Sequence, residues 1–321
     1  MTNTQTANHS LPLYWTEQYV AAGHSFDTTR KSALVAAEAE LAGYQLRGVT
    51  NTYKWAVEKL IEDLHDPAYL LALQTGEPFE LAQSQGFPWD RGIWTMAVAS
   101  TTGTTMAARL AAIGRRNTGS LSSGLHHARR DRGAGFCTIN GLACAARSLT
   151  FEAKLARKKI VILDFDAHCG GGTNSFLAED KALHNHVVMV DVSTESYDHY
   201  APAHPSSSLL LPQLWDDKSF QLRPNANAIY LDTIDQALDL VPWDDALVVL
   251  YNAGVDSYPE LEKATIKERE RRVFARAGQH KVPVSFVLAG GYQGGAATMD
   301  DIVELHMATI DAANQPTKEK K

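Results

Sequence analysis

Four apolar, β-branched runs dominate the chain: KKIVILDFDAH (158–168), HVVMVDVS (186–193), ALVVLYNAGVD (246–256) and VPVSFVLAGGY (282–292). None alternates apolar with polar residues, so each predicts a strand covered on both faces, as in a parallel sheet. Helical periodicity fills the segments between and before them, at 32–46, 51–64, 101–116, 141–156, 227–241 and 263–280. Strands alternating with helices predict a doubly wound α/β sheet. With 321 residues, 45% of them hydrophobic, the chain can bury a large core. No linker or repeat interrupts it, so a single domain over 10–313 is expected, with a disordered tail at 314–321.

Each run ends, on its C-terminal side, in polar or glycine-rich residues: DFDAHCGGG, DVSTES, NAGVDSYPE and AGGYQGG. Ligands of open parallel sheets bind outside the carboxyl ends of the strands. The chemistry is therefore expected at one rim.

Net charge narrows the partners. The chain carries 30 basic against 37 acidic residues, formally -7, without a long basic run. That argues against nucleic acid as the main partner, because phosphate binding relies on clustered Lys and Arg. Three cysteines without CxxC spacing argue against a disulfide framework or a structural Cys-based zinc site. The polar start MTNTQTANHSLPLYW and the lack of an apolar stretch near ~20 residues predict a cytoplasmic protein without a membrane span.

The stretch VILDFDAHCGGGT (161–173) poses an electrostatic problem. On a strand, Asp164, Asp166 and His168 project to one face, and clustered carboxylates are costly to bury without compensation. Asp166 and His168 suit two metal ligands, and Asp256, just past another strand end, suits a third. One His and two Asp with an open position describe a catalytic zinc or iron site. The tandem His126–His127 offers a group that titrates near neutrality for proton transfer, and Asp164 is free to orient it. Gly290–Gly291–Tyr292 combines close backbone approach with a phenol able to donate to an oxyanion.

The stretches TTGTTMAARLAAIGRRNTGSLSSGLHHA, GFCTINGLACAA, LDFDAHCGGGT, NAGVDSY and LAGGY, in this order over roughly residues 90 to 295, resemble the histone deacetylase family of the arginase–deacetylase superfamily, in its bacterial-type, acetylpolyamine amidohydrolase-like branch. The resemblance implies a three-layer α/β/α fold with a mostly parallel eight-stranded sheet. It implies one zinc on Asp166, His168 and Asp256, and hydrolysis of an acyl amide such as acetyl-lysine or an acetylpolyamine. His127 resembles the general base and acid, His126 with Asp164 its electrostatic support, and Tyr292 the group that polarises the acyl oxygen. Phe136 resembles a tunnel wall, and the Gly135 carbonyl an acceptor for the substrate amide. Gly290 and Gly291 complete the substrate set. A structural potassium ion is implied at Asp164, Asp166 and His168, with Asp191 and Val192 as further contributors.

Two departures from the family pattern stand out. Many relatives carry a carboxylate or amide three residues after the metal-binding His, in support of the second histidine. Gly171 occupies that position here. His127 is therefore expected to lack an anionic partner and to stay neutral to lower pH, unless an acid reaches it from elsewhere. Glu260 resembles the acidic gatekeeper of polyamine-directed members, but its register is two residues short, and a solvated loop acid is the preferred reading. Trp89 and Trp94 could edge the pocket or simply pack. His184, His186, His199 and His204 are expected to be solvated on loops and strand starts, and Cys169 is expected to pack.

Two other functions remain open at this stage. A binuclear manganese ureohydrolase would need further bridging acids, but Gly170, Asn252 and Gly254 stand where they belong. A non-catalytic sensor could keep the zinc pocket, although it would not require His127 and Tyr292.

Overall fold

The computed structural model describes residues 10–23, 27–202 and 206–315. Its strands are β1 (Leu13–Trp15), β2 (Leu46–Gly48), β3 (Thr118–Ser120), β4 (Lys159–Asp164), β5 (Val187–Val192), β6 (Ser207–Leu210), β7 (Ala246–Gly254) and β8 (Val284–Ala289). The helices are α1 (Asp27–Leu41), α2 (Asn51–Leu64), α3 (Pro67–Thr75), α4 (Phe79–Ala82), α5 (Gly92–Gly114) and α6 (Gly141–Ser148). They continue with α7 (Thr150–Ala156), α8 (Gly171–Glu179), α9 (Lys181–His186), α10 (Ala226–Asp239), α11 (Lys263–Gln279) and α12 (Met299–Asn314).

The strands form one eight-stranded sheet in the order β2-β1-β3-β8-β7-β4-β5-β6, with every pairing parallel. The four apolar runs become β4, β5, β7 and β8, its centre. Alternate residues along β4 divide the core between two layers. Val161 and Leu163 pack with Val35 of α1, Tyr230 of α10, Val273 of α11 and Leu305 of α12. Ile160 and Ile162 pack with Ile61 of α2, Ala108 of α5, Ala143 of α6 and Phe176 of α8. Both sheet faces are thus covered, which is why these strands show no polar alternation and why the architecture is a three-layer α/β/α fold.

Strands β1, β2, β3 and β6 are only three or four residues long, and LRG and TGS carry no apolar run. Pairing with neighbouring strands, not local composition, makes them strands. The segment expected as one helix over 141–156 breaks at Leu149 into α6 and α7. The helix expected at 32–46 is shifted to Asp27–Leu41, and its last expected residue, Leu46, opens β2. Helix α12 lies outside the expected elements. Its start is a capping box, with Thr298 Oγ1 accepting from Asp301 N and Asp301 Oδ2 accepting from Thr298 N. The tail from 316 onward lies outside the described residues.

The chain leaves β4 toward β5 on one side, whereas β7 adjoins β4 on the other and is followed by β8. Helix α8, after β4, packs on one sheet face, and α11, after β7, on the opposite face. Strands β4 and β7 therefore flank the topological switch point, where crossovers diverge and leave a crevice.

Candidate metal-dependent active site

The crevice collects the unusual residues. The ladder stops at Asp164, which pairs with Asp191 of β5 and Asn252 of β7. Asp166 and His168 consequently lie in the turn beyond the strand, not on a strand face as the alternation predicts. They still converge: His168 Nδ1 is 3.1 Å from Asp166 Oδ1 and 3.0 Å from Asp256 Oδ2. Ala167 N donates to Asp256 Oδ1 at 2.9 Å and ties the two strand ends together. Asp256 Oδ2 is left buried without a hydrogen-bond partner among the described residues. His168 Nδ1 lies near two carboxylate oxygens but can give a proton to only one of them, whereas all three atoms can share one ion. Tetrahedral ligands at 2.0–2.1 Å from zinc stand roughly 3.3 Å apart, so these three residues fit such an ion.

The electrostatics point the same way. Asp164, Asp166 and Asp191 are buried near the strand tips, and the Asp256 side chain is only 3% exposed. Burial and the neighbouring Asp166 push the Asp256 carboxyl up. Burial and Asp164 push Asp191 up to about 8. The cluster is short of positive charge, which a divalent cation would supply.

Next to it stand the tandem histidines, their loop pinned by α6 and α8. The Asn140 side chain caps α6 through Ala143 N and donates Nδ2 to the carbonyls of His126 and Ala128, while Thr173 N donates to His126 O. His126 Nδ1 donates to Asp164 Oδ2 at 2.8 Å, and Asn252 Nδ2 donates to Asp164 Oδ1 at 2.8 Å. Burial works to neutralise His126, but Asp164 and Asp166 prevail and push it up to about 10. Burial and the adjacent His126 hold His127 down at about 4. One imidazole is thus held charged and its neighbour neutral, the division a base with a supporting cation needs.

The expectation that His127 lacks an anionic partner is corrected. His127 Nδ1 donates to Asp198 Oδ2 at 2.9 Å, and Asp198 also accepts from Arg129 Nη2 and from Gly172 N. The acid reaches in from the segment after β5.

One cavity meets this centre, and its lining includes Phe87, Gly135, Phe136, His127, Gly290 and Tyr292. Phe136 and Phe87 rings lie 5.0 Å apart. Burial, then Asp256 and Asp166, push the Tyr292 phenol far up, so it remains a donor. Gly290 has φ +53, and a Cβ there would lie 2.3 Å from Asp256 Cγ, so a side chain at this turn would displace the Asp256 carboxylate. Gly291 faces inward instead, toward Val255 and Ile302. Buried Lys31 also borders the cavity and donates to Gly290 O; sequence reasoning missed it, since nothing distinguishes one lysine in α1.

Other candidates take structural places. Trp89 packs over Gly76 and donates to Leu73 O at 2.9 Å; Trp94 packs against the core. Neither belongs to the cavity lining. Glu260 is exposed and also outside that lining. Cys137, Cys144 and Cys169 are free and buried, and Val192 sits in the core. His184 and His186 lie in the short helix α9, not on a loop or strand start, and His204 falls outside the described residues.

A parallel α/β/α sheet carrying two aspartates and a histidine at its switch point is the architecture of the arginase–deacetylase fold. Residues 24–206 match the histone deacetylase domain, and the chain belongs to that family. It is 28% identical over 261 residues to an uncharacterised protein of Picosynechococcus sp., covering 79% of this chain and 81% of that one. It is 26% identical over 203 residues to histone deacetylase 2 of Arabidopsis thaliana, covering 61% of this chain but only 49% of that protein. In fold it is similar to the crystal structure of acetylpolyamine aminohydrolase from Burkholderia pseudomallei, with a TM-score of 0.73 at 18% identity over 94% of this chain and 98% of that one. Family and fold together support a deacetylase, a hydrolase of amide bonds. No described helix is long and apolar enough to cross a membrane.

Proposed function

We propose that this chain is a zinc-dependent amidohydrolase that removes an acetyl or other acyl group from an amine such as acetyl-lysine or an acetylpolyamine. The observation that carries the reading is the convergence of Asp166, His168 and Asp256, with one donor atom from each within 4.8 Å of the others, beside the His126–His127 pair. In this reading residues 10–313 act as one cytoplasmic catalytic domain, and backbone oxygens near Asp164, Asp166 and His168 hold a structural potassium ion.

Zinc, when bound, supplies Lewis acidity toward the acyl carbonyl and acidifies the attacking water. The chain's own groups do the rest. Neutral His127 takes the water proton through Nε2 and returns it to the departing amine, because its Nδ1 is committed to Asp198. Charged His126, anchored by Asp164, offsets the negative charge that develops. Tyr292 donates its phenolic proton to the oxyanion. Phe87 and Phe136 flank the stem of the acyl-amine, and the Gly135 carbonyl accepts from the substrate N–H.

Purified protein is expected to hold one zinc per chain by elemental analysis and to release acetate from acetyl-lysine peptides or acetylated polyamines. His127→Ala and Tyr292→Phe are expected to abolish or strongly reduce release while zinc stays bound. Two metals per chain would favour binuclear ureohydrolase chemistry, and zinc without turnover on any acyl amide would favour a sensor.

A further inference from the structure

Helix α8 begins with two glycines beneath His127, and the space above the first is filled from outside the helix. A Cβ on Gly171 would lie 2.4 Å from Asp198 O and 2.6 Å from Asp198 Oδ1. No side chain fits there while Asp198 stays in place. Asp198 occurs in SYDHY, after β5, and its own φ is 58, a left-handed conformation that aspartate tolerates better than most residues. The segment is fastened to the metal-ligand turn by Glu195 N donating to Ala167 O at 2.8 Å and Cys169 N donating to Tyr197 O at 3.0 Å. Tyr197 presents its ring edge-on to both His127 and His168, with centroids 5.0 and 5.8 Å apart.

The carboxylate is fully engaged and only 8% exposed. Oδ2 accepts from His127 Nδ1 and from Gly172 N at 3.0 Å, and Oδ1 accepts from Arg129, whose Nη1 also donates to His127 O at 3.2 Å. A surface ion pair would not close around one histidine in this way. Arg129 and a backbone amide thus fix the Asp198 carboxylate in place against the imidazole.

We infer that Asp198 is the positioning residue for His127, delivered by the connection after β5, and that Gly171 is the vacancy that admits it. The inference rests on the reading of His127 as the base. Its role is to hold the proton on Nδ1, so that Nε2 faces the substrate with its lone pair. A side chain at 171 would meet both the carbonyl and the carboxylate of residue 198, so it and this segment exclude each other.

The test is a cycle of Gly171→Asp, Asp198→Ala and the double variant, with His127→Ala as control, each checked for folding and bound zinc. Asp198→Ala is expected to lower kcat by about 10²-fold, at the upper end of what loss of a histidine's supporting partner costs, with KM changed less than about threefold. Gly171→Asp is expected to lose activity in the wild-type and the Asp198→Ala backgrounds alike, because its Cβ would meet the backbone carbonyl of residue 198, which alanine keeps. Asp198→Asn, which tolerates the same φ, provides a folded comparator and is expected to fall below wild type in kcat. In ¹H–¹⁵N NMR, a hydrogen-bonded His127 Nδ1–H is expected in wild type and not in Asp198→Ala, a readout independent of turnover. Full activity in Asp198→Ala, full activity in Gly171→Asp, or a wild-type His127 protonated on Nε2 would overturn the inference. If His127→Ala retains turnover, it is the reading of His127 as base that fails.

Discussion

Arg269 is completely buried behind the site and offers the sharpest test of how the switch point is supported. Its Nε donates to Glu270 Oε1 at 2.8 Å, and Nη1 donates to the Phe165 carbonyl at 2.9 Å and to the Tyr230 hydroxyl at 3.1 Å. Phe165 lies between Asp164 and Asp166, so the guanidinium anchors the turn that presents a proposed ligand. Glu270 Oε1 also accepts from Tyr251 of β7, while Oε2 has no hydrogen-bond partner among the described residues. Arg269→Met keeps most of the side-chain volume but leaves the Glu270 charge buried beside an unpaired carbonyl. Breaking one side of a buried pair costs about 3–5 kcal/mol. Unfolding entropy near 2.1 cal/mol/K per residue gives roughly 0.7 kcal/mol/K for 321 residues, so Tm is expected to drop by about 4–7 °C. Thermal melts followed by circular dichroism, with urea unfolding at fixed temperature, measure the loss. The double variant Arg269→Met/Glu270→Leu, which removes both charges, is expected to be more stable than Arg269→Met alone. A single variant within about 1 kcal/mol of wild type, or a double variant weaker than the single, would refute the reasoning.

Two further outcomes follow from the geometry. Gly290→Ala is expected to fold but to bind zinc at least about tenfold more weakly, because the new Cβ enters the space of the Asp256 carboxylate; an unchanged zinc affinity by competition with a chelator would contradict this. His65 is buried with Nδ1 donating to Arg129 O, and burial holds its pKa down at about 4. Its folded value lies below the unfolded one near 6.5, so the unfolded chain binds the extra proton first as pH falls. The stability it contributes is therefore complete above about pH 6.5 and lost on descending toward about 4, by up to about 3 kcal/mol. His65→Gln should flatten that part of the stability–pH curve, and an identical slope in both proteins would exclude the assignment.

Much of the candidate site was legible because its parts are local. Asp166 and His168 are two residues apart, His126 and His127 adjacent, and Gly290 to Tyr292 consecutive, each group at the end of an apolar run or beside a glycine turn. The runs themselves determined the two-sided burial, since a strand without polar alternation has no face to give to water. Strands such as LRG and TGS were illegible, because only pairing with a neighbour holds three such residues extended. The tertiary structure alone decided which acid serves His127. Asp198 lies 71 residues away in an undistinguished polar segment, and periodicity reports only residues a few positions apart. Gly171 was the trace it left in the sequence: a missing side chain whose reason becomes visible once the segment after β5 is seen lying over it.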